Sequence, residues 1–101
     1  MKRILVAAVI GAASVVVLAP GVAHAGEAGY LARISVDYGL DIYDEREALA
    51  LGYAVCDELR AGKPREVVAD RMFLKVLDMT RTHADGIAFS AQRELCPETA
   101  Q

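Results

Sequence analysis

Histidine and cysteine, which supply many metal sites and catalytic centres, are scarce in this chain. Its 101 residues include two of each, and no Cys-x-x-Cys pair occurs. His83 is the one histidine beyond the first 25 residues. A metal site needs several ligands, and a catalytic base needs a nucleophile and an orienting group. Neither grouping is visible, so we expect no enzymatic activity, no metal site and no cofactor.

Basic residues are also fewer than acidic ones. The chain has 14 acidic and 11 basic residues. Residues 26–101 keep all 14 acids but only nine basic residues, because Lys2 and Arg3 precede them, so their formal net charge is −5. Such a domain repels the phosphates of nucleic acids and anionic membranes. We therefore expect no nucleic-acid partner.

The N-terminus has the layout of a secretion signal. Lys2 and Arg3 precede an apolar run over residues 4–19, and Ala23-His24-Ala25 supplies the small–x–small pattern of a cleavage site. The run is shorter than the roughly 20 residues that span a bilayer. We predict a helical signal peptide over residues 1–25, cleaved after Ala25, rather than an uncleaved anchor. The mature protein, one domain over residues 26–101, would be secreted or held at the cell envelope, with no stable membrane span.

The rest of the chain shows helical spacing and no alternation of period two, which predicts helices and no strands. We predict an all-α fold, a small four-helix bundle. Gly52 in the second helix would let another helix approach closely. Residues 26–29 are predicted as a flexible start, and Asp44, with Glu47 as its partner, and Thr82 as helix caps. The predicted helices run from Tyr30 to Gly39, from Asp44 to Gly62, from Pro64 to about Met79, and from Thr82 to just before Pro97.

Cys56 and Cys96 are the two cysteines. Disulfides persist in the oxidising compartments that an exported protein reaches. A bridge closing a loop of about 40 residues would stabilise the fold by roughly 4 kcal/mol in the chain-entropy model. The alternative, a redox-active pair, usually has Cys-x-x-Cys spacing. We predict one structural disulfide.

The third helix carries apolar residues on two arcs. Val68, Met72 and Val76 lie on one arc, and Phe73, Leu74 and Leu77 lie on the other. We predict that the first arc is a partner or ligand surface and that the second belongs to the core. The alternative is a helix packed on both sides, with both arcs buried.

Several local features repeat a known pattern. An aromatic-Leu helix ends in glycine (Tyr30-Leu31 to Gly39), an Ala-x-x-Leu-Gly-x-x-x-Cys segment covers residues 48–56, and Cys96-Pro97 lies near the C-terminus. The stretch from Tyr30 to Pro97 resembles the mycobacterial family known as domain of unknown function 732, whose members are small, exported and helical. The resemblance implies a helical fold and a Cys56–Cys96 bridge, but no activity. Family members tend to be alanine-rich in the third helix, whereas this chain has Met72-Phe73-Leu74.

The function class that fits these features is a secreted interaction module without catalysis. The alternative is a small carrier that binds an apolar ligand, such as lipid or haem, between its helices. The partner, a protein or an apolar ligand, and the oligomeric state are left open by the sequence.

Cleavage after Ala25 is directly testable. Because the apolar run is short and a cleavage pattern follows it, the exported protein should begin at Gly26. Intact-mass spectrometry of protein from the culture medium checks this. A full-length species in the membrane fraction would contradict it.

Overall fold

The computed structural model describes residues 26–100, which form four α-helices and no strand. The predicted all-α bundle is confirmed for this part of the chain. The predicted signal peptide, residues 1–25, lies outside the described residues. The first helix, α1, covers residues 26–32 and continues into a π-helical turn at Arg33–Asp37; α2 is Glu45–Arg60, α3 is Arg65–Lys75, α4 is Arg81–Glu94, and a 3₁₀ turn follows at Pro97–Ala100.

The last long helix, α4, lies at the centre of the bundle. It contacts α2, α3, the π-helical turn and the 3₁₀ turn. Its small residues let these neighbours approach, and they include Ala84, Ala88 and Ala91, all buried. Two polar side chains of α4, Ser90 and Gln92, are also buried. The apolar core consists of Tyr30, Ile34, Val55, Cys56, Leu59, Val68, Ala69, Met72, Ala84, Ile87, Ala88, Ala91 and Cys96.

Cys56 and Cys96 form the predicted disulfide. Their Cα atoms are 5.9 Å apart, and both side chains are fully buried. The bond joins the second half of α2 to the segment that follows α4. It therefore links two elements that are distant in sequence and adjacent in the core.

The ends of α2 follow part of the predicted capping chemistry. Within residues 26–100 the Glu47 side chain accepts no hydrogen bond from the N–H of Asp44, so the predicted partner role of Glu47 is not observed. The Asp44 carboxylate accepts from the backbone N–H groups of Arg46 and Glu47, at 2.9 and 3.3 Å. Gly39 and Gly62 have φ values of +68° and +97°, the left-handed conformation expected where α1 and α2 end. Pro64 is the N-cap of α3, so the helix begins at Arg65, one residue later than predicted.

The prediction was wrong about the end of α3 and the start of α4. Val76 is extended, with φ −95° and ψ 122°, so α3 ends at Lys75 and not near Met79. Asp78 has a φ of +62°, which turns the chain towards α4. The cap of α4 is Thr80, whose hydroxyl accepts from the N–H of His83 at 3.0 Å. Thr82 lies inside the first turn instead.

The predicted flexible start is also wrong, because residues 26–29 are already helical. A Cβ atom on Gly26 would lie 2.8 Å from the backbone oxygen of Glu94, so glycine there lets α1 lie directly against the end of α4. Arg33 then donates to Oε2 of Glu94 from Nε and Nη2, at 3.1 and 2.9 Å. This ion pair joins the two helices at their half-buried edge.

The close approach predicted at Gly52 is confirmed, and its neighbour is an aromatic ring. A Cβ atom on Gly52 would lie 2.7 Å from Cζ of Tyr30 and 2.8 Å from Cδ1 of Leu95. The buried Tyr30 hydroxyl donates to the carbonyl of Ala48 at 2.8 Å. Burial raises the pKa of Tyr30, so the hydroxyl stays protonated and keeps this bond.

Replacing Gly52 with Ala should destabilise the protein. Alanine favours a helix interior by about 1 kcal/mol over glycine, so propensity alone predicts stabilisation. The added methyl group would instead displace Tyr30, and overpacking of this kind costs about 1–3 kcal/mol. Thermal unfolding checks the sign. Ala54→Gly on the exposed side of α2 is the control, with an expected loss of about 1 kcal/mol. A raised melting temperature for Gly52→Ala would contradict the contact.

Candidate functional site

An apolar groove of about 660 Å³ opens on one side of α2. Three elements wall it: the connector before α2, the exposed side of α2, and the loop between α3 and α4. Ile87 of α4 also lines it. The lining residues are Leu40, Asp41, Ile42, Tyr43, Asp44, Glu47, Ala48, Ala50, Leu51, Ala54, Val76, Leu77, Met79 and Ile87. This volume falls within the range of ligand-binding clefts.

The positions at which α1, α2 and α3 begin and end create the groove. Gly39 closes α1, and Asp44 starts α2, so residues 40–43 form a short non-helical wall. The early end of α3 makes the opposite wall, since Val76 and Leu77 leave the helix there. Along α2 itself the lining includes small side chains at Ala50 and Ala54, which leave space between the walls.

Two large apolar side chains of the groove are almost fully exposed. Tyr43 is 94% exposed and Leu77 is 88% exposed. Leu74 is 80% exposed as well, but it does not line the groove. Neighbouring exposed apolar side chains are typical of interaction surfaces.

The charged residues of the groove are all acidic. Asp41, Asp44 and Glu47 line it, and no lysine, arginine or histidine does. All three lie at the end of the groove where α2 begins. The groove therefore has an acidic end and an apolar remainder.

The surface predicted on α3 is wrong in its orientation. Val68 and Met72 are only 3% and 6% exposed and belong to the core. Leu74 and Leu77, predicted as core, are exposed, and Phe73 is half-buried beneath the Arg81 guanidinium, 4.7 Å from its ring centre. The helical spacing shows which residues share a face but not which face meets the core. Val76 and Leu77 also lie beyond the end of the helix at Lys75, where that spacing no longer applies.

Val76 is the member of the predicted surface that remains accessible. It lines the groove, and it also lines a smaller cleft of about 200 Å³ between α2 and α3. Val68 and Met72 form part of the inner wall of that cleft. The structure thus brings these three residues together, but two of them serve to pack α3 against the core.

Sequence reasoning missed the connector wall. Leu40, Ile42 and Tyr43 lie in a predicted loop, yet all three line the groove. Three large apolar residues in a four-residue connector were the available signal, since loops at a protein surface are usually polar. Leu40 and Ile42 pack partly against the core, and Tyr43 points away from it.

A second cleft on the surface is rich in arginine. A cleft of about 490 Å³ is lined by Arg33, Arg65 and Arg93 around Phe89, with Glu94 in its wall. In residues 26–100, no group of three or more histidine, cysteine, aspartate or glutamate side chains is placed to hold a metal ion. The helices of that same part are too short or too polar to cross a membrane.

A family model described as a protein of unknown function (DUF732) matches residues 26–98, most of the chain. This protein belongs to the DUF732 family. The predicted resemblance is therefore confirmed. No curated protein and no solved structure matches the chain. The matched region contains all four helices, both cysteines and every residue that lines the groove of this DUF732 protein.

Aspartate substitutions should separate core from groove. Met72→Asp places a charge in the core, so we expect it to abolish cooperative unfolding or lower stability by about 3 kcal/mol or more. Leu77→Asp should change stability by less than about 0.5 kcal/mol, because the side chain is already in water. Chemical denaturation followed by circular dichroism measures both. Equal destabilisation by the two variants would show that Leu77 belongs to the core in solution.

Proposed function

We propose that this protein is an exported interaction module without catalysis, and that the groove receives apolar side chains of a protein partner. The exposure of Tyr43 and Leu77 at the groove carries the proposal. Each would lose most of its contact with water on binding. Burying a side chain such as leucine contributes about 1.5–3 kcal/mol.

The rigid walls of the groove support a binding role, because few of its residues have to become ordered when a partner binds. Most of one wall is the regular helix α2, and the disulfide at Cys56 fixes that helix to the end of α4. Asp44 caps the helix where it meets the connector wall. Pre-formed surfaces bind more tightly because they pay less conformational entropy.

Export is part of the same proposal. A disulfide persists outside the reducing cytoplasm, and the Lys2-Arg3 start with Ala23-His24-Ala25 is typical of a secretion signal. Both features support action in the extracellular medium or at the cell envelope.

A carrier of a small apolar ligand is the second candidate. The volume of about 660 Å³ and the mostly apolar lining favour it, since small-molecule sites have these properties. The two functions differ in what contacts Leu77: side chains of a protein in one case, a lipid-like molecule in the other.

Photocrosslinking distinguishes the two functions. A photoreactive phenylalanine analogue is placed at position 77 or, as a matched control, at position 74. Both positions carry an exposed leucine, but only position 77 lines the groove. The protein is irradiated in the cells that export it, and the products are identified by intact mass and peptide sequencing.

We expect one discrete protein adduct from position 77 and none from position 74. An adduct with the mass of a lipid would favour the carrier instead. Identical adducts from both positions, or none from either, would contradict a role for the groove.

A further inference from the structure

The groove has a direction along α2. Glu47, Ala50, Leu51 and Ala54 line it in order, and they recur at three- and four-residue steps on one face of the helix. From Glu47 to Ala54 the groove covers about two helical turns, or roughly 10 Å. An occupant lying along it can therefore present two or three successive apolar side chains.

The acidic end of this path lacks local neutralisation. Asp44 caps α2, but Asp41 and Glu47 are exposed and make no ion pair within residues 26–100. Arg46 and the positive end of the α2 dipole, about half a charge, together supply less positive charge than the three carboxylates supply negative charge. Anything that enters this end meets net negative charge.

We propose that the occupant is an amphipathic protein segment whose apolar side chains lie along Leu51 and Leu77 and whose lysine or arginine residues lie at the Asp41–Glu47 end. This inference rests on the proposed function and names the partner's chemistry. Two features support it: apolar lining over most of the groove, and charged residues of one sign at one end.

The same charge argues against an anionic amphiphile. A fatty acid or another carboxylate-bearing apolar ligand would bring its charge towards Asp41 and Glu47 or leave it at the apolar end. Like charges at close range disfavour binding, whereas opposite charges speed association and set orientation. A basic segment satisfies both ends of the groove at once.

Two short synthetic amphipathic peptides test the inference. They share a leucine face and differ only in having lysine or glutamate at the polar positions. Binding to the oxidised, exported protein is measured by fluorescence anisotropy at low and at high salt. We expect the lysine peptide to bind roughly tenfold more tightly at low salt, with the preference shrinking as salt screens the charges.

Reversing the charges at the acidic end tests whether these carboxylates cause the preference for the lysine peptide. Asp41→Lys combined with Glu47→Lys should reverse the preference in favour of the glutamate peptide, with Asp44 kept as the helix cap. Asp57→Lys combined with Glu66→Lys is the matched control. Both of these residues are exposed, neither lines the groove, and the total charge changes by the same amount. The control should keep the preference for lysine.

The possible failures are distinguishable. Equal binding of both peptides, abolished by Leu77→Asp, would overturn this inference and leave the groove as a binding site. Binding that Leu77→Asp does not weaken, or no binding at all, would overturn the proposed function as well. A second copy of the chain could occupy the groove instead. A dimer in size-exclusion chromatography that the Leu77→Asp variant does not form would show this, and it would also overturn the inference.

Discussion

The Cys56–Cys96 bond is the constraint on which the rest of the structure depends. A domain of this size buries too little apolar surface to be more than marginally stable by its core alone. A bridge with a sequence separation of 40 residues contributes roughly 4 kcal/mol in the chain-entropy model, against a typical total of about 5–15 kcal/mol. Because the bond joins α2 to the segment after α4, it also fixes the helix that forms one wall of the groove.

A second link runs from α1 to the connector wall. Tyr30 packs on Gly52 and donates to the carbonyl of Ala48, so the position of α1 is set by α2. The left-handed Gly39 then directs the chain into the connector. The connector wall at Tyr43 is thus positioned by a buried contact made 13 residues earlier in the chain. Core packing and groove geometry are consequences of the same few contacts.

Local chemistry in the sequence predicts much of this fold, and long-range packing accounts for what it does not predict. Asp44, Gly62 and the two cysteines have the predicted roles because capping, left-handed turns and disulfides depend on residue type and spacing. The prediction of which apolar arc of α3 is core and which is surface is wrong, because a helical pattern shows which residues share a face but not which face meets the core. The groove could not be predicted, because residues from three separate segments meet there only after folding.

The location of the exposed apolar residues bears on whether the groove is a by-product of folding. Tyr43 and Leu77 lie on non-helical segments, at the ends of elements whose caps and core contacts are already complete without them. Polar residues at these positions would leave the core contacts and the caps in place. Their apolar character therefore does little for the fold, and it lowers solubility. The proposed partner contact would account for both residues, and the groove carboxylates Asp41 and Glu47 would favour positive charge in that partner.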